Sequence, residues 1–545
     1  MAASPSSKGF PVMGASYRLV HSPVQSSYDP SMALVAVSIH VPTPDDVETG
    51  LSQSTSAIEE GADIVEWRID AWPGMEQAAE AVDELVKNAS VPSILTVRSV
   101  AEGGEFEGTA DDISQLLEAV HATGTCPRYI DLEAPMWLES EALRSAWRDM
   151  GEDTGLILSR HDMLGRPGDL LRAMADMSSI EEAAVVKIAW RARSARDSIE
   201  AFDVLRTRAK PTIALCMGEA GLPTRVLAGR EGAFLSFAAG TGGPTAPGQC
   251  SVRDLVSRYR FRELDAETDV FCILGDPIAH SISPIVHNAG FADTGFNGVF
   301  MPLPVAPGWE SFKATVGVLL EDGGFRLRGL CITLPHKEHA LRFVKESGGT
   351  ISDIAQRAGA ANTIVVDEEG GLRADNTDAP AIVETLGIEP SGSRIAILGA
   401  GGAARAAVAG LVEAGARVDL FNRTPERAQA LVEAMDDHMC TLGDLDELSG
   451  YDVILNTTSL GMEGGPDPEA NPLESLGLPD WMLEEASVVY ECVYAPRNTP
   501  LVEAARAAGT TVVTGEAMFL AQARRQFHAW TGLEAPFESW RQLID

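Results

Sequence analysis

The first half of the chain alternates short, β-branched apolar runs with stretches of helical spacing. Eight such units follow one another after residue 33, and polar residues stand at or near the ends of most of the runs. The runs cover residues 33–41, 63–69, 93–98, 128–133, 155–161, 183–189, 211–217 and 234–240. A spacing of roughly 22 to 35 residues fits βα units, and eight units fit a closed (β/α)8 barrel. In such a barrel, functional side chains gather at the carboxyl ends of the strands.

The second half begins after a short polar stretch, residues 260–269, which predicts a domain boundary. Apolar runs resume at Val270 and again end in polar loops, so another α/β region is expected. Residues 1–32 are rich in Ser and Pro and poor in arginine. They predict a disordered tail more than a transit peptide.

A glycine cluster in this second half is the strongest local motif. The Ile-rich run 394–398 predicts a strand, and residues 406–412 have helical spacing. Small residues at the intervening turn would let a phosphate approach the helix N terminus. The next predicted strand, 417–421, ends in Asn422-Arg423-Thr424. Because an NAD site would place an acid there, the arginine predicts NADP.

Composition narrows the choice of ligands. The 545 residues carry a formal net charge of −37, which disfavours nucleic acid and anionic membranes as partners. The sequence contains no run of about twenty apolar residues, so no membrane span is predicted. The seven cysteines have no paired spacing, which predicts reduced thiols and no metal site. We expect small-molecule substrates and a cytoplasmic location, the plastid being the alternative if the N terminus is a transit peptide.

The predicted barrel contains an unusual lysine. Lys187 lies within the apolar run Val185–Ala189, and only seven lysines occur in the chain. We expect burial and neighbouring arginines to favour its neutral amine, a nucleophile toward a ketone. His161 ends the preceding strand and is a suitable acid and base. Three arginines near strand ends could hold a carboxylate and hydroxyls: Arg68, Arg98 and Arg225.

Several motifs in order resemble type I 3-dehydroquinate dehydratases over about residues 33–255. They are Glu66-Trp67-Arg68, Val97-Arg98, Asp131-Leu132-Glu133, Ser159-Arg160-His161-Asp162, Val186-Lys187 and Ala246-Pro247-Gly248-Gln249. The resemblance implies Lys187 as the Schiff-base lysine and His161 as the base, oriented by Glu102. The implied substrate residues are Glu66, Arg68, Arg98, Arg225, Thr245 and Gln249. Thr245 stands where the family usually has serine.

A second set of motifs resembles shikimate dehydrogenases over about residues 270–545. It comprises the loop 275–284, Thr333-Leu334-Pro335-His336-Lys337, Asn362-Thr363, Asn376-Thr377-Asp378, the glycine cluster, Asn422-Arg423-Thr424, the run 456–462 and Tyr494-Ala495-Pro496. The resemblance implies Lys337 and Asp378 as a catalytic pair. The implied substrate residues are Ser281, Ser283, Thr333, Asn362, Tyr494 and Gln522. Cys331 replaces an asparagine common in bacterial members, and Glu491 replaces an aspartate.

The same resemblance implies NADP(H) as the cofactor and no metal. The implied cofactor residues are Gly399, Ala400, Gly401, Gly402, Ala403, Asn422, Arg423, Thr424, Arg427, Thr458, Gly515 and Met518. The expected fold is an α/β chain with an N-terminal (β/α)8 barrel, a two-domain dehydrogenase and a Rossmann domain. The expected boundaries are a tail at 1–32, a barrel at 33–259, a linker at 260–269, a substrate domain at 270–378 completed by helices in 515–545, and a Rossmann domain at 379–514.

The fusion resembles the plant-type bifunctional 3-dehydroquinate dehydratase/shikimate dehydrogenase family. It implies dehydration of 3-dehydroquinate followed by reduction of 3-dehydroshikimate with NADPH. One alternative is a quinate dehydrogenase in the second half. Another is a non-catalytic regulator that senses quinate or shikimate. Such a regulator is expected to lack catalytic side chains and to carry a basic segment, whereas Lys187, His161, Lys337 and Asp378 are all present.

Overall fold

A computed structural model describes residues 33–75, 77–279 and 281–544. The predicted tail, residues 1–32, lies outside these ranges. The first half forms eight parallel strands, and each predicted run coincides with one of them to within two residues at either end. These strands are β1 (Leu34–His40), β2 (Ile64–Arg68), β3 (Ser93–Thr96), β4 (Tyr129–Glu133), β5 (Gly155–Asp162), β6 (Ala183–Arg191), β7 (Thr212–Met217) and β8 (Leu235–Ala239).

The strands curve into a barrel. Their order is β7-β6-β5-β4-β3-β2-β1-β8, so β7 and β8 are the two end strands. These ends meet where the amide of Phe234 donates to the carbonyl of Thr212 at 2.8 Å. The barrel prediction is therefore confirmed. The helices around it are α1 (Val47–Glu59), α2 (Ala78–Asn88), α3 (Ala110–Ala122), α4 (Ala134–Glu139), α5 (Glu141–Asp149), α6 (Leu170–Ser179), α7 (Arg196–Arg206) and α8 (Leu222–Val226).

The next region is a mixed six-stranded sheet of order β10-β9-β11-β13-β14-β12, in which β13 runs antiparallel to β11 and β14. Its strands are β9 (Asp269–Gly275), β10 (Gly298–Pro304), β11 (Leu327–Ile332), β12 (Thr350–Ile351), β13 (Thr363–Val366) and β14 (Leu372–Asp375). Its helices are α9 (Ser283–Thr294), α10 (Trp309–Glu321), α11 (Lys337–Glu346), α12 (Asp353–Ala358) and α13 (Asp378–Thr385).

The last region is an all-parallel sheet of order β17-β16-β15-β18-β19-β20, as expected of a Rossmann domain. Its strands are β15 (Arg394–Leu398), β16 (Arg417–Phe421), β17 (Cys440–Leu442), β18 (Val453–Asn456), β19 (Val488–Glu491) and β20 (Thr511–Val513). Its helices are α14 (Gly402–Glu413), α15 (Pro425–Met435), α16 (Pro472–Ser475), α17 (Trp481–Glu485) and α18 (Pro500–Ala507).

Two final helices, α19 (Gly515–Thr531) and α20 (Phe537–Ile544), return to the mixed sheet. Phe527 and Trp540 are buried there in one aromatic cluster with Phe291 and Phe300. Burying large aromatic rings is strongly favourable, so this cluster holds the chain's end against the substrate-domain sheet.

The barrel and the mixed sheet share one continuous hydrophobic core. Charged contacts border this joint: Arg206 of α7 contacts Asp322 at 2.9 Å, and Arg262 of the linker contacts Asp63 at 2.9 Å. Residues 260–269 also contact the second half, because Asn297 donates to Asp265 at 2.9 Å. Within the described ranges, no helix is long and apolar enough to cross a membrane.

Candidate active sites

Lys187 lies inside the barrel mouth with only 5 % of its surface exposed. Its Nζ is 2.8 Å from Asp131 and 3.4 Å from Glu66, and it lies 4.4 Å from the centre of the Phe237 ring. The groups that contact Nζ are thus carboxylates, whereas Arg98, one of the expected arginines, contacts the same Asp131 at 2.7 Å. The reason is that β2 and β4 each direct a carboxylate toward the strand that carries Lys187.

Arg98 holds the neighbouring carboxylates together. Its guanidinium contacts Asp131 at 2.7 Å, Glu133 at 3.2 Å and Glu102 at 3.3 Å. Burial opposes charge on Asp131, but Arg98 and Lys187 outweigh it and lower the pKa of this carboxyl. Arg98 and Asp131 therefore stay charged in the interior, and each compensates the other.

His161 and Glu102 form a second contact in the barrel mouth. Glu102 Oε2 lies 2.8 Å from His161 Nδ1 and 2.9 Å from the His161 backbone amide. Burial, Arg98 and Lys187 hold the pKa of His161 well below its usual value. Burial and Glu133 raise the pKa of Glu102, and Arg98 opposes this shift. Because Glu102 Oε2 also faces Arg98, we assign this oxygen as the acceptor, which makes Nδ1 the donor and leaves Nε2 able to accept a proton.

Arg225 lies on α8, beyond the end of β7, and is 1 % exposed. One guanidinium nitrogen donates to the carbonyl of Phe237 at 3.3 Å. Within the described part of the chain, its Nε and Nη2 are buried without a hydrogen-bond partner. Burial lowers the pKa of Arg225 to about 10, so the side chain is still charged at neutral pH. Buried donors without partners are costly, and a bound anion would satisfy them.

The remaining predicted barrel residues surround this centre. Arg68 pairs with Asp70 and lines a cavity of about 460 Å³, as does Thr245. Gln249 accepts from the amide of Thr245 at 2.9 Å, which closes the loop after β8. The structure thus brings Glu66, Lys187 and Arg98 into one network, whereas Arg68 and Thr245 lie at the adjoining cavity.

The second site is centred on Lys337, the first residue of α11. Its Nζ is 2.7 Å from Asp378, and Asn362 donates to the other oxygen of Asp378 at 2.8 Å. Burial disfavours the charge on Lys337, but Asp378 outweighs it and raises the pKa of the ammonium. The lysine is therefore a charged proton donor at neutral pH, with its direction fixed by Asp378.

A cleft of about 1030 Å³ opens beside this pair. All the predicted substrate residues of this half line it: Ser281, Ser283, Thr333, Asn362, Tyr494 and Gln522. Cys331 lines it too, and burial raises the pKa of its thiol to about 12, so it is present as a neutral thiol. Hydroxyl and amide groups beside a charged pair suit a small polyhydroxylated acid.

The glycine cluster also lines this cleft, next to Lys337. Gly399 has φ +116°, and a Cβ there would lie 2.6 Å from Thr457 Oγ1, so a side chain would not fit. A Cβ on Gly402 would lie 2.9 Å from Cδ of Lys337. The backbone of this turn therefore passes directly against the side chain of Lys337. The other residues of the predicted cofactor set that line the cleft are Ala400, Gly401, Ala403, Asn422, Arg423, Arg427, Thr458, Gly515 and Met518.

Thr424 differs from its neighbours in the predicted cofactor set. It does not line the cleft, because it is the N-cap position before α15 and its carbonyl accepts from Asn422 at 2.7 Å. Among the residues that the structure describes, no group of three or more His, Cys, Asp or Glu is arranged to hold a metal ion.

Sequence reasoning missed several residues of both sites. Asp131 was part of a quoted motif but had no assigned role, and Ser38 donates a short hydrogen bond to Glu66. In the second site, Thr377 donates its amide to Asn362 at 2.8 Å. Gln526 donates to the Asn362 carbonyl at 3.1 Å. Position at a strand end was a usable signal for Asp131.

Comparisons with known proteins agree with this division. The family described as type I 3-dehydroquinase matches residues 35–266. The shikimate dehydrogenase substrate binding domain matches residues 273–364, and the shikimate / quinate 5-dehydrogenase family matches residues 382–461.

Relatives cover either the whole chain or its second half. A chloroplastic bifunctional 3-dehydroquinate dehydratase/shikimate dehydrogenase from Arabidopsis thaliana is 33 % identical over 92 % of this chain and 83 % of its own length. A shikimate dehydrogenase (NADP(+)) from Moorella thermoacetica is 40 % identical over 50 % of this chain and 92 % of its own. A crystal structure of shikimate 5-dehydrogenase from Thermus thermophilus with NADP(H) and shikimate is 33 % identical, with TM-score 0.44, and covers 51 % of this chain and 98 % of its own.

The fold and its two sites define a two-part enzyme, in which a barrel lyase with a buried lysine precedes a dinucleotide-dependent dehydrogenase. The chain belongs to the bifunctional 3-dehydroquinate dehydratase/shikimate dehydrogenase family.

Proposed function

We propose that the barrel dehydrates 3-dehydroquinate to 3-dehydroshikimate, and that the second half reduces 3-dehydroshikimate to shikimate with NADPH. The observation that carries the proposal is the presence of two separate lysine sites, each with its own acid or base partner. The proposed parts are the barrel at 33–259, the linker at 260–269, the substrate domain at 270–378 with 515–545, and the dinucleotide domain at 379–514.

In the dehydratase, the Lys187 amine adds to the substrate ketone and water leaves, which forms an imine. Nε2 of His161 then removes the C2 proton. The same imidazole returns this proton to the C1 hydroxyl, which departs as water. A second water hydrolyses the imine, so Lys187 and His161 end as they began. Glu102 keeps the imidazole in its reactive tautomer throughout.

The substrate carboxylate is proposed to bind Arg225, with Gln249 and Thr245 closing the loop above it. Support comes from the two unpartnered nitrogens of this buried guanidinium. Glu66, Arg68 and Arg98 are proposed to contact the ring hydroxyls.

In the reductase, Lys337 holds a proton 2.7 Å from Asp378 and can give it to the oxygen of the reacting carbonyl. Asn362 and Asp378 keep the lysine pointed at this oxygen. Ser281, Ser283, Thr333, Tyr494 and Gln522 are proposed to bind the carboxylate and hydroxyls of the ring. When bound, NADPH supplies the hydride.

The proposed preference for NADP rests on two arginines. Arg423 and Arg427 line the cleft beyond the glycine turn, and neither side chain pairs with another described residue. Unpaired arginines are unexpected in a chain of net charge −37, and a 2′-phosphate would match them. Thr424 is proposed to support the loop that presents Arg423.

A cytoplasmic location remains a prediction; the plastid is the alternative, since the Arabidopsis thaliana relative is named as chloroplastic.

The direct test is trapping with borohydride in the presence of 3-dehydroquinate, followed by peptide mapping. The adduct is expected on Lys187. His161→Ala should still be trapped but should lose roughly 10²–10⁴-fold in turnover, because imine formation and proton removal are separate tasks. Dehydration retained by Lys187→Met would contradict the assignment.

Each half serves as the folding control for the other. Lys187→Met should keep full reduction of 3-dehydroshikimate, and Lys337→Met should keep full dehydration. Comparing turnover of shikimate and quinate in the oxidative direction decides between the proposed reductase and a quinate dehydrogenase. A single variant that abolishes both reactions would show misfolding and not catalytic loss.

A further inference from the structure

The first turns of two helices from different domains meet beside the reductase site. Helix α11 begins with Lys337, and α14 begins with Gly402 of the glycine turn. A Cβ on Gly402 would lie 2.9 Å from Cδ and 3.3 Å from Cβ of Lys337. The stem of the catalytic lysine therefore packs on the dinucleotide turn, and its position depends on how the two domains meet.

One ion pair crosses between these same two turns. Arg405 of α14 places its Nε 3.4 Å from Oε1 of Glu338, the residue after Lys337. Arg405 is mostly buried, with 18 % of its side chain exposed, whereas Glu338 is 59 % exposed. Both residues line the reductase cleft.

Arg405 also packs against a second element of the substrate domain. Its Nη1 lies 3.4 Å from the position that a Cβ on Gly359 would take, directly after α12. The guanidinium is therefore wedged between α12 and the start of α11. Its Nε is buried without a hydrogen-bond partner among the described residues, so the 3.4 Å ion pair with Glu338 is the contact that links the position of α14 to that residue.

We propose that Arg405 is a positioning residue for the reductase. It holds Glu338, and with it the first turn of α11, against the glycine turn, so that Lys337 keeps its 2.7 Å contact with Asp378. This inference rests on the proposed reductase function. A small displacement of a reacting group lowers turnover strongly, so loss of the pair should lower kcat roughly three- to tenfold.

The experiment compares Arg405→Ala, Glu338→Ala, the double alanine variant and the reversed pair Arg405→Glu with Glu338→Arg. Both single variants should lower kcat for 3-dehydroshikimate by a similar factor, with a smaller change in KM for NADPH. The double variant should be no slower than either single one, and the reversed pair should recover most of the lost rate. Dehydratase turnover of each variant should equal that of the wild type.

A matched control pair lies at the other end of α14. Arg357 of α12 and Glu413 at the far end of α14 also form a pair between the two domains, at 4.0 Å. Arg357→Ala should leave reductase turnover unchanged, because this pair is remote from the glycine turn.

Hydrogen–deuterium exchange of the free protein tests the positioning without any turnover. Arg405→Ala should speed exchange of the amides in residues 337–341, and Arg357→Ala should not. Unchanged exchange in Arg405→Ala would overturn the proposal. A rise in KM for NADPH alone in Arg405→Ala, with no change in turnover in Glu338→Ala, would also overturn it, because Arg405 would then contact the cofactor. Faster exchange in Arg405→Ala, together with a wild-type protein that fails to reduce 3-dehydroshikimate, would refute the proposed function and leave the pair's role in place.

Discussion

Replacing Asp131 with asparagine should destabilise the barrel. The carboxylate contacts Lys187 at 2.8 Å, Arg98 at 2.7 Å and Ser159 at 2.6 Å, all in the interior. Asparagine keeps the shape but removes the charge, and its amide hydrogens would face cations. Breaking a buried ion pair costs about 3–5 kcal/mol, because the remaining charge is uncompensated.

The lower end of this range is expected for Asp131→Asn. Arg98 keeps Glu133 at 3.2 Å and Lys187 keeps Glu66 at 3.4 Å, so neither cation is left without a carboxylate. We expect a loss of about 3 kcal/mol in the free energy of unfolding. Urea unfolding followed by tryptophan fluorescence measures this loss. The borohydride-trapped fraction should fall as well, since Lys187 would turn toward Glu66.

Asp153→Asn is the control, because Asp153 is exposed on the same barrel. Its effect should stay within about 0.5 kcal/mol. An Asp131→Asn protein with the wild-type unfolding midpoint would refute the reasoning, since the buried cations would then not depend on this carboxylate.

Three further changes test other parts of the account. Arg423→Gln should raise the KM for NADPH roughly tenfold or more and barely change that for NADH, because a charge-assisted contact contributes about 1.5–3 kcal/mol; equal losses would show a role in folding. Arg225→Lys should raise the KM for 3-dehydroquinate, because lysine lacks the fork that two carboxylate oxygens require; an unchanged KM would place the carboxylate elsewhere. Burial raises the pKa of Glu491 from 4.5 to about 7, so its ionisation destabilises the fold increasingly between these pH values. Glu491→Gln cannot ionise, so its free energy of unfolding should rise by about 3 kcal/mol relative to that of the wild type as the pH increases from 4.5 to 7. A difference between the two proteins that does not depend on pH would contradict this.

The sequence was sufficient wherever the signal is local. The strand 394–398 and the following glycine turn were predicted correctly, because the apolar residues of the strand are followed directly in the chain by the small residues of the turn. Lys187 was found because an isolated lysine in an apolar strand is unusual.

Contacts between distant segments could not be read in this way. The partners of Lys187 are 56 and 121 residues away in sequence, so its contacts with Asp131 and Glu66 were not predicted. The packing of Gly402 on Lys337 is similarly a product of how two domains meet. Periodicity places residues on strands and helices, but it does not specify which side chains face one another.

The central claim is that one chain carries out both reactions in order. The purified protein should be mixed with 3-dehydroquinate and NADPH, and the products should be followed by chromatography and by absorbance of the cofactor. We expect a brief accumulation of 3-dehydroshikimate, then shikimate, with one NADPH consumed for each shikimate formed. Accumulation of 3-dehydroshikimate without NADPH consumption, or consumption of NADPH without shikimate, would contradict it.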